Sequence, residues 1–182
     1  QFIQADALEY VREHGREYDA IHASPPCQKF TQMSARWRGK GGRADSHPDL
    51  LTPTLNALRE YPQPWIVETV VGARKYMPEH IKLHGGMFGL RVHRPRLFAC
   101  NFLVMLAEAR ACQDPIGVYG PRADGRRLFT RHDRNGKVSI QRAAASAGEA
   151  MLAMGIEHEM TWDEVREAIP PAYTEFLGLQ LM

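Results

Sequence analysis

Two residues in the first half of the chain have side chains suited to covalent chemistry. Cys27 follows Pro25-Pro26, and Glu68 follows the apolar run 65–67. A cysteine thiolate is a strong nucleophile, and a carboxyl group beside it can hold or transfer a proton. Two consecutive prolines fix the backbone and remove two amide donors, which suits holding the Cys27 side chain out of a sheet. This pair of residues predicts nucleophilic attack by the Cys27 thiolate beside a carboxyl group that can donate or accept a proton.

The segments around these residues alternate between strand and helix patterns. Phe2-Ile3, 20–23 and 65–67 are typical of strands, and Asp6 and Glu9 have the spacing of a capping box at a helix start. Such alternation predicts an α/β fold with a parallel sheet. Because function in such sheets gathers at the carboxyl ends of strands, we expect Cys27 and Glu68 to share one edge.

Composition and length favour a globular protein over disulfide-rich, metal-binding and membrane-spanning classes. A chain of 182 residues with 44% hydrophobic content can bury a core. Its three cysteines include no Cys-x-x-Cys pair, so neither a disulfide framework nor a metal site is expected. No apolar run has the length of a bilayer span and no signal-peptide pattern is present, which predicts a cytoplasmic protein without a membrane partner.

Positive charge is concentrated in two segments. The region 122–142 carries seven basic and two acidic side chains, a net +5 against +2 for the whole chain. It surrounds Asn135-Gly136, a strong two-residue hairpin signal. A second basic stretch directly follows Cys27 and is rich in glycine: Lys29, Arg36, Arg38, Lys40 and Arg43. Both segments suit contacts with phosphates, and the alternative is that they are solvated surface loops.

Five motifs in order resemble the DNA (cytosine-5) methyltransferase family, and in particular the short methylases of bacteriophages. An acidic residue near the start and four short motifs carry the resemblance: Asp6, Pro25-Pro26-Cys27-Gln28, Glu68-Thr69-Val70, Arg94-Pro95-Arg96 and Ala168-Ile169-Pro170-Pro171. Thr69 stands where the family has an asparagine that helps hold the nucleophile loop. The resemblance covers nearly the whole chain.

The resemblance implies a Rossmann-like, S-adenosylmethionine-dependent methyltransferase sheet with a small target-recognition insertion. The family's Phe-x-Gly-x-Gly loop is missing from the sequence, so we expect the sheet to lack its N-terminal strand-loop-helix unit. The implied organisation is a catalytic α/β core over 1–100, a basic target-recognition region with a hairpin over 101–141, and C-terminal helices returning to the core over 142–182. The implied location is the cytoplasm of a bacterial or phage-infected host cell.

The same resemblance implies a role for each site residue. Cys27 would attack carbon 6 of a flipped cytosine in double-stranded DNA, Glu68 would hold nitrogen 3 and the exocyclic amine, and Arg94 and Arg96 would supply positive charge. The residues implied to bind S-adenosylmethionine are Asp6, Pro25, Ala168 and Ile169. Those implied to contact DNA are Gln28, Lys29, Arg36, Arg38, Lys40, Arg127, Arg131 and Arg134.

Two other functions stay open at this point. The missing cofactor loop permits a catalytically degenerate relative that binds DNA without cofactor. Cys27 together with His22 or His47 would permit a thiol hydrolase, although that function leaves Glu68 and the arginine pair without a role. The sequence leaves the oligomeric state open.

Overall fold

The structure is a computed structural model. It describes residues 2–31, 47–106, 108, 110–120, 123, 125, 128–132 and 138–181, with the backbone alone for 128–132, 138 and 139. The chain divides into two compact units, and each is described by itself. The first unit comprises residues 1–82, 96–104 and 181, and the second comprises 83–95, 105–180 and 182.

A mixed four-stranded sheet organises the first unit. Its strands are β1 (Ile21–Ala23), β2 (Trp65–Val70), β3 (Ile81–Leu83) and β4 (Arg96–Cys100), in the order β1-β2-β4-β3. β1 and β2 are parallel with Ala23 opposite Val67, whereas β2 and β4 are antiparallel with Val70 opposite Arg96. The α/β class is therefore confirmed, and the expectation of a parallel sheet holds for β1 and β2 but not for β2 and β4.

One predicted strand is absent, and another is longer than predicted. Phe2 and Ile3 form no strand, and Phe2 is 89% exposed, so this apolar pair lacks the burial that a strand pattern implies. Glu68 does not follow β2 but lies within it, because β-branched Thr69 and Val70 continue the strand and pair with β4.

Helices cover one face of this sheet. α1 (Ala7–His14) begins at Asp6, whose Oδ1 accepts from the amides of Leu8 and Glu9 at 2.9 and 3.0 Å. In α2 (Leu51–Leu58) the first amides are satisfied by Asp49. The apolar stripe of α2 packs with Val67 of β2 and Leu97 of β4 in one buried cluster. Burial of this stripe accounts for the helix better than its propensity does.

The second unit contains a hairpin and three helices in the part of the chain that is described. β5 (Leu128–His132) pairs antiparallel with β6 (Val138–Arg142), as the Asn135-Gly136 signal predicts, and the turn itself lies outside the described residues. The helices are α3 (Ala147–Met154), α4 (Trp162–Glu167) and α5 (Pro171–Gly178). α4 begins with a capping box formed by Thr161 and Glu164. The described helices include none long and apolar enough to span a membrane.

Candidate active site

Cys27 lies on the loop that leaves the carboxyl end of β1. It is partly exposed and precedes a short 3₁₀ helix, Gln28–Phe30, in which the Phe30 amide donates to the Cys27 carbonyl at 2.8 Å. Pro25 and Pro26 separate this turn from the strand. The local sequence thus produces a stiff exit from the sheet followed by a tight turn. Cys27 is partly exposed, and the three cysteines form no disulfide in the part of the chain that the structure describes.

Glu68 and Arg96 form an ion pair on neighbouring strands. Arg96 Nε lies 2.9 Å from Glu68 Oε1, and the two side chains are only 14% and 10% exposed. Glu68 is opposite Phe98, two residues beyond Arg96, so both charged side chains lie on the same face of the sheet. Since a buried charge is costly without a partner, the pair orients the carboxylate and balances it.

Sheet topology brings Cys27, Glu68 and Arg96 to one edge. Parallel pairing of Ala23 with Val67 places the exit of β1 level with Glu68. β4 runs the opposite way, so its first residue, Arg96, lies beside the last residue of β2. The three residues therefore belong to one unit, with Glu68 level with the residue that follows β1 and Arg96 opposite the last residue of β2. Their joint role stays a prediction.

Thr69 points to the opposite face of the sheet from Glu68, because side chains alternate along a strand. Its side chain is 1% exposed, and its hydroxyl has no hydrogen-bond partner among the residues that the structure describes. Within those residues, Thr69 makes no hydrogen bond to the loop that carries Cys27. Support for that loop comes from elsewhere.

Three residues not predicted from the sequence support the Cys27 loop. Phe30 is 1% exposed and packs into the core cluster of the first unit. The Phe30 ring contacts the ring of Tyr76, with centroids 4.8 Å apart. The backbone of Gly72 passes so close to Phe30 that a Cβ on Gly72 would collide with its carbonyl. A large apolar residue three positions after Cys27 was the available signal for an anchor.

Arg94 is buried in the second unit, where its guanidinium holds backbone carbonyls. It is 2% exposed and donates to Ala168 at 2.7 Å, Arg166 at 2.5 Å and Val118 at 3.2 Å. The Tyr173 hydroxyl donates to the Arg94 carbonyl at 3.0 Å. Arg94 also has φ of 28°, a left-handed conformation that costs energy for a non-glycine residue. These contacts give Arg94 a defined structural role, and its predicted catalytic role stays a prediction.

The four residues predicted to bind cofactor are divided between the two units. Asp6 and Pro25 belong to the first unit, and Ala168 and Ile169 belong to the second. Asp6 is exposed and its Oδ1 caps α1, the Ala168 carbonyl accepts from Arg94, and Pro25 and Ile169 are partly exposed. Their role in binding S-adenosylmethionine stays a prediction.

Most of the residues predicted to contact DNA lie outside the described part of the chain. Those outside it are Arg36, Arg38, Lys40, Arg127 and Arg134. Arg131 lies on β5 with its backbone opposite Ser139. Gln28 is exposed and Lys29 is partly exposed beside Cys27. Both residues come directly after Cys27, the candidate nucleophile, in the chain.

An open cleft of about 660 Å³ lies in the second unit, and none of its lining residues is a predicted site residue. Its lining includes Glu149 of α3, which is paired with Arg142 at the end of β6. The Arg142 guanidinium and the Ala145 amide lower the pKa of Glu149 to about 2. The described residues include no group of three or more histidine, cysteine, aspartate or glutamate side chains that could hold a metal.

Comparison with known proteins adds no relative. No protein-family model matches the chain, and a comparison with curated proteins finds no match.

Proposed function

We propose that the protein is a DNA cytosine-5 methyltransferase that uses S-adenosylmethionine as the methyl donor. The observation that carries the proposal is the gathering of Cys27, Glu68 and Arg96 at one edge of the sheet in the first unit. A thiol, a carboxylate and a guanidinium are the groups needed to activate carbon 5 of cytosine, a weak nucleophile. The order of motifs in the sequence, which include these three residues, supports the same family.

The proposed chemistry begins at Cys27. Its thiolate attacks carbon 6 of a flipped cytosine, which forms a sulfur–carbon bond and moves the electron pair of the 5,6 double bond onto carbon 5. One oxygen of Glu68 accepts from the exocyclic amine, and the Glu68 carboxyl, protonated as the adduct forms, donates to nitrogen 3. Arg96 orients the Glu68 side chain through the 2.9 Å contact. Carbon 5 would then displace S-adenosylhomocysteine from the methyl group of the donor. Loss of the carbon 5 proton to water would re-form the 5,6 double bond and expel the Cys27 thiolate.

No step is assigned to the residues predicted to bind the donor. Asp6 Oδ1 caps α1, and the Ala168 carbonyl accepts a hydrogen bond from Arg94. This observation favours a second candidate, a DNA-binding relative that does not bind cofactor. Calorimetry with S-adenosylhomocysteine separates the two: saturable binding supports the methyltransferase, and no binding supports the relative.

The decisive experiment traps the covalent intermediate. DNA containing 5-fluorocytosine, incubated with the protein and S-adenosylmethionine, should form a denaturation-resistant complex because carbon 5 carries fluorine in place of the proton that must leave. Cys27→Ala should abolish the complex. Cys112→Ala is the matched control, since Cys112 lies in the second unit, and this variant should trap DNA as the wild type does. A complex that persists without Cys27 would contradict the proposal.

A further inference from the structure

We infer that Phe30 and Gly72 are positioning residues, whose backbone contact sets the place of Cys27 relative to Glu68. The inference deepens the proposed function and rests on it for its catalytic consequence. The placement of the Cys27 thiol, however, can be measured by a reaction that involves neither DNA nor cofactor.

Phe30 is the buried end of the turn that begins at Cys27. Its amide donates to the Cys27 carbonyl at 2.8 Å, and its side chain is 1% exposed in the core cluster of the first unit. The single 3₁₀ turn leaves only Gln28 and Lys29 between the two residues. A displacement of the Phe30 backbone must therefore move Cys27 as well.

Gly72 is the point at which the strand carrying Glu68 meets this turn. β2 continues directly into the 3₁₀ helix Val71–Tyr76. A Cβ at position 72 would lie 3.1 Å from the Phe30 carbonyl carbon and closer still to its oxygen, so the approach requires glycine. The same continuous segment of backbone thus carries Glu68 and, at Gly72, contacts the turn that carries Cys27. This contact sets the spacing between Cys27 and Glu68.

Tyr76 closes the contact from the outer side. Its ring lies 4.8 Å from that of Phe30, and the residue is 45% exposed. Removing this ring loosens the turn without opening a cavity in the core. Phe30, Gly72 and Tyr76 therefore contribute to the support of this turn from within the first unit.

The test measures alkylation of individual cysteines by iodoacetamide, resolved by peptide mass spectrometry. The variants are Gly72→Ala, which forces Phe30 away, and Tyr76→Ala, which removes the outer ring. Gly178→Ala is the control, since a Cβ there meets nothing within 4 Å. Cys100 of β4 reports general unfolding, because burial raises the pKa of its thiol to about 11 and slows its reaction while the sheet is intact.

If the turn is released, Cys27 alkylation and trapping on DNA should change in opposite directions. Alkylation of Cys27 should rise by about fivefold in both variants while Cys100 stays at its wild-type rate, as expected for a local opening. Trapping on 5-fluorocytosine DNA should fall by about 100-fold, because attack on carbon 6 needs the thiol in register with Glu68. A purely structural contact would lower the melting temperature and leave the Cys27 rate unchanged.

Two results would overturn the inference. One is a Cys27 alkylation rate equal to that of the wild type in both variants. The other is a parallel rise at Cys27 and Cys100, which indicates global unfolding. If Gly72→Ala does not fold, the better tolerated Tyr76→Ala decides the matter. If the wild type traps no DNA, the proposed function fails, whereas the alkylation rates still decide whether Phe30 and Gly72 position Cys27.

Discussion

At the scale of single residues, the two arginines of the Arg-x-Arg motif differ in what they contact. Arg96 pairs with the Glu68 carboxylate, whereas the guanidinium of Arg94 donates to three backbone carbonyls. The fork of an arginine can satisfy several acceptors at once, and a lysine ammonium cannot reproduce that geometry. The sequence predicted one shared role for the two residues because it shows their spacing but not their partners. Two of the three carbonyls that bind Arg94 belong to residues more than 70 positions away.

Arg94→Lys should therefore destabilise the protein. We expect the free energy of unfolding to fall by about 2 kcal/mol, because charge-assisted hydrogen bonds to buried carbonyls are lost. Urea denaturation followed by circular dichroism measures the change. Arg91→Lys is the control, since Arg91 pairs with Asp114 where both side chains are more than half exposed, and its effect should be under about 0.5 kcal/mol. Equal effects of the two variants would contradict a structural role for the Arg94 fork.

At the scale of elements, local signals predicted more of the structure than long-range pairing did. The strands predicted at 20–23 and 65–67 depend on nearby residues, and both exist, although the second continues to Val70. Insertion of β4 beside β2, which gives Glu68 its ion pair, depends on cross-strand contacts that no local pattern encodes. The sequence thus predicted Cys27 and Glu68 at one edge but not the packing that supports them.

The junction of β6 and α3 predicts a pH-dependent contribution to stability. The pKa of Glu149 is lowered from 4.5 to about 2, first by the hydrogen bond from Arg142 and then by that from the Ala145 amide. Since the folded-state pKa lies below the unfolded value, the stabilisation is complete above pH 4.5 and is lost as the pH falls toward 2. Glu149→Gln should lower the melting temperature at pH 7 by about 3 °C and flatten its decline in acid.

Ser146→Ala is the companion variant for this measurement. The Ser146 hydroxyl accepts from the Glu149 amide at the start of α3, so its loss removes a helix cap and leaves the ion pair in place. The melting curve of Ser146→Ala should keep the acid decline of the wild type at a lower temperature. If Glu149→Gln keeps the same acid decline, the ion pair with Arg142 does not supply it.

At the scale of the whole molecule, charge is unevenly distributed along the chain. The net +5 of residues 122–142 exceeds the +2 of the complete chain, so the remainder is net negative. If the hairpin segment supplies the phosphate contacts, the salt dependence of DNA binding should trace to it.

Replacing Arg127, Arg131 and Arg134 together with glutamine tests that expectation. The slope of log affinity against log salt concentration should become shallower by about 3, measured by fluorescence anisotropy with duplex DNA. The control replaces three exposed arginines of the first unit, Arg12, Arg16 and Arg59, and should leave the slope unchanged. Equal changes in both triple variants would indicate a nonspecific charge effect and remove the hairpin from the proposed interface.

The strand order of the sheet also bears on how the protein is synthesised. β3 precedes β4 in the chain, but β4 takes the place beside β2 and leaves β3 at the outside. A nascent chain that has emerged from the ribosome only as far as β3 therefore cannot complete the sheet around β2. The buried carboxylate of Glu68 acquires the Arg96 cation only after β4 has left the exit tunnel. Until then, the edge of β2 that β4 will occupy presents unpaired backbone groups, so the native pairing of β2 requires that residues 96–100 have been released.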